Sequence, residues 1–341
     1  MAEPVNSSAA PSDPLVLDVR DLSIDFPSKG GPVRIVDGVS LRIRRGRVLG
    51  LVGESGSGKS VTGLALNGLL GMAGGRVEAS RMRLAGRDVA ALPEAEWQTM
   101  RGPVVSMVFQ DPLMSLNPVY RVSWQIAEVL VRHRGLGRRA AMAQAVELLD
   151  AVGVPDPKAR ARAFPHQLSG GMRQRVGIAM ALACEPDLLI ADEPTTALDV
   201  TIQAQILGLI DRLRRETGAA VLFVSHDLGV VSQIADDVAV IYAGRVVEQA
   251  PAATLFDAPE HPYTIGLLGS MPDLDRPEAD LVAIPGAVPA MDAMPPGCRF
   301  APRCPFAVAE CTSARPPMRA LGPEHEAACI RAPLPAVGRA A

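Results

Sequence analysis

One stretch constrains this chain more than any other: Gly53-Glu54-Ser55-Gly56-Ser57-Gly58-Lys59-Ser60, set directly after the short apolar run Arg47 to Val52. Val61 to Leu70 follows with few helix breakers. Buried strand, glycine-rich loop and helix in that order form the context in which a loop can wrap phosphate groups. Glycine lets the backbone curl so that successive N–H groups point inward at an anion. The helix behind the loop adds its positive N-terminal end. Lys59 can then reach the β- and γ-phosphates of a nucleotide, and the Ser60 hydroxyl can bind Mg²⁺.

The rest of the pattern tells what surrounds that loop. Leu15 to Ile24 and Val33 to Ile43 alternate apolar and polar residues and read as strands. Asp187 to Ala191 and Ala219 to Val224 read as further buried strands, with a helix over Ile202 to Arg215 between them. Alternating strands and helices predict an α/β fold with a mostly parallel sheet covered on both faces. Residues from about 110 to 180 are nearly all helical in pattern, including Trp124 to Val152 and a helix opened by Ser169-Gly170-Gly171. They read as a helical insertion in the α/β core, which spans 15–250. Beyond about residue 250 prolines multiply and periodicity fades. The segment 251–341 therefore reads as an appended, loop-rich domain with little core of its own and in need of a staple. Residues 1–14 are rich in Pro, Ser and Ala, lack the basic and apolar regions of a signal peptide, and read as a disordered tail.

With 341 residues and 48 % apolar side chains the chain can bury a sizeable core. A formal net charge of −3 makes no electrostatic case for a nucleic-acid partner. No apolar run approaches the roughly 18–20 residues that span a bilayer. The longest candidate, Ile178 to Ile190, is interrupted by Glu185, Pro186 and Asp187. The expectation is a soluble, cytoplasmic chain that acts at a membrane only through partners.

Several residues fall where such a sheet collects chemistry. Leu188 to Asp192 is an apolar strand that ends in two carboxylates, Asp192 and Glu193. Asp192 is placed to hold Mg²⁺, and Glu193 to orient and polarise an attacking water. Gln110 follows the apolar run Met107 to Phe109 and can sense the γ-phosphate or Mg²⁺ from a strand end. His226 follows the strand Val221 to Val224. Asp199, taken alone, is an ordinary surface acid. Among five cysteines, Cys184 reads as a small buried apolar residue, while Cys298, Cys304, Cys311 and Cys329 crowd into the end of the chain. In a cytosolic chain such a cluster points to a metal site before disulfides. Its C-x5-C-x6-C-x17-C spacing matches neither a zinc ribbon nor a ferredoxin, and four thiolates can hold Zn²⁺ or an iron–sulfur cluster.

The ordered set resembles the ATP-binding cassette (ABC) ATPases: the phosphate loop at 53–60 (Walker A), Gln110, Leu168-Ser169-Gly170-Gly171, the strand with Asp192 and Glu193 (Walker B), Ala197-Leu198-Asp199, and His226. The resemblance implies a P-loop ABC cassette with a RecA-like core, an antiparallel β subdomain and a helical subdomain. It implies ATP and Mg²⁺ as ligands, and a head-to-tail cassette dimer. Ser169, Gly170 and Gly171 would face the partner's γ-phosphate, Glu193 would be the general base, His226 the switch residue, and Asp199 a link between the two sites. An aromatic residue near the N-terminus should stack on adenine, and Phe26 is the candidate.

A narrower resemblance adds to this. Phe109 to Pro118, His166 to Arg175, Asp192 to Thr201, His261-Pro262-Tyr263-Thr264, Ile284-Pro285-Gly286 and Gly297 to Pro305 look like the dipeptide/oligopeptide importer ATPases, and Ser60-Val61-Thr62 like their D-type subunit. This implies import of di- or oligopeptides with a homologous second ATPase subunit, two membrane permease subunits and an extracytoplasmic binding protein, at the cytoplasmic face of the membrane. Relatives carry nickel or glutathione instead. Soluble ABC ATPases acting on DNA or ribosomes carry tandem cassettes, long coiled coils or zinc insertions that this chain lacks. For Cys298, Cys304, Cys311 and Cys329 the resemblance implies a four-iron four-sulfur (4Fe-4S) cluster, with zinc as the alternative.

Overall fold

The computed structural model describes residues 14–196, 198–271, 283–291 and 293–334. The tail expected over 1–14 lies outside these except for Pro14.

The chain begins with two long strands, β1 (Leu15–Phe26) and β2 (Val33–Arg44), paired antiparallel. Alternation places Leu17, Val19, Leu22 and Ile24 of β1 inside. The five-residue β3 (Val48–Val52) is buried along its whole length and leads to the phosphate loop and α1 (Lys59–Leu66). Three short strands, β4 (Arg76–Glu78), β5 (Arg81–Leu84) and β6 (Arg87–Asp88), complete an antiparallel sheet around β1. The helix α2 (Glu94–Met100) buries Trp97 against the turn at Gly68, where an added Cβ would meet the indole ring at 2.3 Å.

After β7 (Val105–Val108) every regular element up to β8 (Leu188–Asp192) is helical. These are α3 (Pro112–Ser115), α4 (Val122–Arg134), α5 (Arg138–Ala151), α6 (Pro157–Arg160) and α7 (Gly170–Leu182). Gly135, in the left-handed conformation, ends α4 and splits the continuous helical pattern of the sequence in two. The alternation then resumes with α8 (Val200–Thr217), β9 (Ala220–Ser225), α9 (Leu228–Ser232), β10 (Asp237–Tyr242) and β11 (Arg245–Pro251).

The larger sheet runs β10-β3-β9-β8-β7 with every pair parallel. The sheet divides the core into two apolar layers, and successive residues of one strand go to opposite layers. Leu222 and Val224 of β9 pack with Leu49, Leu51 and Ile190, whereas Val221 and Phe223 pack with Val48, Val52 and Ala191. This two-sided burial is why these strands read as unbroken apolar runs.

The C-terminal segment is less independent than its composition suggests. After α10 (Ala252–Asp257) and α11 (Pro262–Gly269), the chain returns as β12 (Arg319–Gly322) and β13 (His325–Ala327), which extend the main sheet antiparallel beyond β11. The rings of Tyr242, Tyr263 and Phe300 pack against one another in tilted and edge-on contacts, with centroids 4.6–5.4 Å apart. The fully buried Glu248 carboxylate accepts from the backbone N–H of Glu260 and His261 and meets His325 Nε2 at 2.9 Å.

The expected four-iron four-sulfur cluster at Cys298, Cys304, Cys311 and Cys329 is corrected here, and with it the zinc alternative. Among the described residues no group of three or more His, Cys, Asp or Glu side chains is placed to hold a metal ion. The four cysteines do line one cavity, of about 20 Å³. Its walls include Phe300, Phe306, Pro262 and Ile330. Burial pushes the Cys298 and Cys329 thiols up and Cys304 up to about 11, so they pack as small neutral apolar groups. The staple predicted for this segment is supplied by aromatic packing and added strands.

Phe223 is fully buried at the centre of the sheet. Phe223→Ala should lower stability by about 3–5 kcal/mol, read as a fall in the urea midpoint at unchanged slope.

Candidate nucleotide site

The loop after β3 is held in a shape that only its glycines allow. Gly56 and Gly58 have φ of +79° and +98°, and a Cβ on Gly53 would lie 2.1 Å from the Ile241 carbonyl oxygen. The Ser57 carbonyl accepts from Gly244 N–H at 2.9 Å, which ties the loop to the turn after β10. The buried Ser57 hydroxyl has no protein partner.

Lys59 stands at the first position of α1, with Gly58 as its cap. Its ammonium donates to the carbonyls of Gly53 and Glu54 at 2.7 and 3.0 Å. Burial holds its pKa below the usual lysine range, against the opposing pull of Glu193, Asp192 and Glu54. The Ser60 hydroxyl donates to Asp192 Oδ1 at 3.0 Å. Burial raises the Asp192 carboxyl, and the Glu193 charge adds to the rise while Ser60 and Lys59 oppose it.

Glu193 is the meeting point of the site. It follows β8 with φ +45°, a left-handed backbone that is uncommon for a residue with a side chain. Its N–H donates to the Val224 carbonyl at 2.9 Å, which ties the strained residue to β9. Its Oε2 accepts from Gln110 Nε2 and Thr196 Oγ1, both at 2.9 Å, and lies 3.2 Å from His226 Nδ1. Gln110 comes from beyond β7, Glu193 from β8 and His226 from β9. All lie at the carboxyl ends of parallel strands, beside the loop that follows β3. They line one cavity of about 520 Å³ with Ser55, Gly56, Gly58, Lys59 and Ser60.

The cavity fits a nucleotide's phosphates and Mg²⁺. A curled loop that presents Ser55, Gly56, Gly58 and Lys59 to the cavity suits phosphate oxygens. Ser60, Asp192 and Gln110 supply the hard oxygen donors that Mg²⁺ takes.

Other residues singled out in the sequence are not brought to this cavity. Ser169 caps α7 and accepts from Met172 N–H at 3.4 Å, Gly170 is exposed beside it, and Gly171 packs against Ile202 of α8. Asp199 is exposed and caps α8, accepting from Ile202 N–H at 2.8 Å. Phe26 ends β1 with its ring against Gly75 and does not line the cavity. Conversely, Ile35, Thr196 and Met291 line it without having been foreseen. Thr196 carried a faint signal, as the hydroxyl three residues past the glutamate. Ile35 and Met291 are apolar residues like any other in the chain and carried none.

Residues 36–196 match the model of the ABC transporter family, and residues 247–311 match that of the oligopeptide/dipeptide transporter C-terminal region. The chain belongs to the ABC transporter family as an ATP-binding cassette protein, and it carries that C-terminal region. It is 47 % identical over 331 residues to the oligopeptide transport ATP-binding protein OppD of Salmonella typhimurium, covering 97 % of this chain and 98 % of that one. It is 47 % identical over 314 residues to the dipeptide transport ATP-binding protein DppD of Bacillus subtilis, covering 92 % and 94 % of the two chains. Among solved structures it resembles the dimeric ATP-binding cassette MJ0796 bound to ADP and Pi. The TM-score is 0.62 at 26 % identity, over 69 % of this chain and 98 % of the other. No helix among the described residues is long and apolar enough to cross a membrane.

The raised Asp192 carboxyl means that folding favours its protonated form, so above that value its buried charge destabilises the protein. Asp192→Asn, free of nucleotide and Mg²⁺, should melt above the unmodified chain at neutral pH. The gap should close as pH falls through the carboxyl's titration, and the thermal gain from Mg²⁺ with nucleotide should be lost. Differential scanning fluorimetry across pH reads all three.

Proposed function

We propose that this chain is the ATP-hydrolysing subunit that energises import of di- and oligopeptides through a membrane ABC transporter. The observation that carries the reading is the convergence of Gln110, Thr196 and His226 on one oxygen of Glu193, beside Lys59 and the Ser60–Asp192 pair. The peptide cargo follows from the names of OppD and DppD and from the C-terminal region shared with oligopeptide/dipeptide transporters.

In this reading Glu193 acts as general base. Its carboxylate takes a proton from the water that attacks the γ-phosphorus. Gln110, Thr196 and His226 hold that carboxylate in one orientation, so little reorganisation remains at the moment of reaction. His226, half exposed and 3.2 Å from Glu193 Oε2, then contacts both water and γ-phosphate. Lys59 and the loop N–H groups bind the β- and γ-phosphates. Ser60, Asp192 and Gln110 would hold Mg²⁺, which when bound neutralises charge on the transferring phosphoryl group.

Ser169, Gly170 and Gly171 open a thirteen-residue helix, α7, outside this chain's own cavity. We assign them to the nucleotide of a homologous second subunit in a head-to-tail dimer, with Asp199 between the two sites. The solved relative is likewise dimeric. The same reading places residues 15–250 as the cassette, with a helical subdomain at about 110–180 that bears on two permease subunits. It places 251–341 as the extension, and an extracytoplasmic binding protein as the source of cargo. The chain then works at the cytoplasmic face of the membrane.

Glu193→Gln should bind ATP as tightly as the unmodified chain but release phosphate at least about 10²-fold more slowly in the assembled transporter. Turnover within tenfold of the parent would remove Glu193 as the base. Uptake of a labelled dipeptide by cells carrying only the variant should stop; unchanged uptake would argue for a different cargo.

A further inference from the structure

Glu54, the second residue of the phosphate loop, is gripped at both of its polar ends by the C-terminal segment. Its backbone N–H donates to the Tyr263 hydroxyl at 2.8 Å, and its carboxylate accepts from Arg303 Nη1 at 3.0 Å. Neither Tyr263 nor Arg303 lines the nucleotide cavity, and both are buried.

Both gripping side chains are themselves fixed. The Tyr263 ring is packed between Tyr242 and Phe300, and its backbone N–H donates to His261 Nδ1 at 3.1 Å. Burial holds that histidine's pKa down to about 3, so the imidazole stays a neutral acceptor. Arg303 donates through Nε to the Pro285 carbonyl at 2.8 Å and through Nη1 to the Tyr242 hydroxyl at 3.3 Å. Its guanidinium also lies 5.7 Å from the centre of the Tyr242 ring.

Two physical consequences follow. The Glu54 N–H and the Gly53 C=O belong to one planar peptide unit. Tyr263 holds the N–H edge of that unit, and Lys59 Nζ bonds the C=O edge at 2.7 Å. The tyrosine thus sets the plane against which the lysine is aimed. Moreover, the loop carries an acidic side chain next to residues that line the phosphate cavity, and Arg303 pairs with that carboxylate.

We propose that Tyr263 and Arg303 are positioning residues for nucleotide binding, clamping the peptide plane and the carboxylate of Glu54 so that loop and lysine are preset for a nucleoside triphosphate. The His261-Pro262-Tyr263 motif and the arginine beside Cys304 then have a role at the ATP site, although both lie outside the cassette in sequence. The proposal rests on the reading of the loop as an ATP site.

The test is the equilibrium affinity of the full-length chain for Mg·ATP, with the melting temperature recorded in parallel. Tyr263→Phe keeps the buried ring and removes only the acceptor. It should weaken ATP binding about fivefold, the factor carried by one net hydrogen bond, at a melting temperature close to that of the parent. In turnover assays the loss should appear in KM, with kcat within about twofold. Arg303→Gln should weaken binding about tenfold by leaving the Glu54 carboxylate unpaired. Adding Glu54→Gln to that variant should restore most of the affinity, because the unpaired charge is gone. ATP affinity within twofold of the parent in Tyr263→Phe, whatever its melting temperature, would overturn the proposal. So would an Arg303→Gln defect that Glu54→Gln leaves in place. Lys59→Ala separates the two readings: if it binds ATP as tightly as the parent, the loop is not the ATP site at all.

Discussion

The protein depends on the course of the backbone between Val52 and Lys59. A free chain would not keep this turn. Gly56 and Gly58 sit in the left-handed region, and Gly53 lies so close to the Ile241 carbonyl that no side chain fits. The turn persists because β3 lies between β9 and β10 in a sheet buried on both faces, so its end cannot drift. The neighbouring strands end at the same edge. That is how residues 110, 193 and 226, far apart in sequence, come within hydrogen-bond reach of one another. The chemistry of the site is a by-product of strand order.

The same burial creates an electrostatic tension. Lys59, Asp192 and Glu193 are all buried around one cavity. Desolvation pushes the lysine down and Asp192 up, and their mutual attraction opposes both shifts. The lysine bonds to carbonyls of its own loop and Asp192 to Ser60. An ammonium and a carboxylate beside a hydroxyl are groups of the kind that suit phosphate and a divalent cation. The left-handed backbone of Glu193 belongs to the same pattern, a local cost sustained by the surrounding sheet.

The C-terminal segment shows how composition can mislead about cohesion. Its prolines and weak periodicity suggest a loose appendage in need of a metal. Instead Tyr263 and Phe300 pack against Tyr242 of the core, Glu248 gathers donors from two later segments, and two short strands lengthen the main sheet. The four cysteines share one cavity, but among the described residues they form no group placed to hold a metal ion. Cysteine spacing reports how far apart thiols lie along the chain, not how much room lies between them in space.

Much of the site was legible because its chemistry is written in contiguous residues. A phosphate loop needs a strand, glycines, a lysine and a helix within a dozen positions, and a catalytic carboxylate needs a strand end. Local pattern also revealed the buried strands, since two-sided burial leaves unbroken apolar runs such as Val48 to Val52 and Leu188 to Ala191. Phe26 was harder to read, because an aromatic at a strand end says nothing of which way its neighbours fold; its ring lies against Gly75. The α/β class, the phosphate loop and the acidic strand end could be read from residue order alone, because each is a short-range pattern with a short-range cause. Tertiary structure alone decided the donors that converge on Glu193, the size of the cysteine cavity, and the grip of Tyr263 and Arg303 on Glu54. Those contacts join segments up to 249 residues apart, and their geometry exists only once the sheet has brought them together.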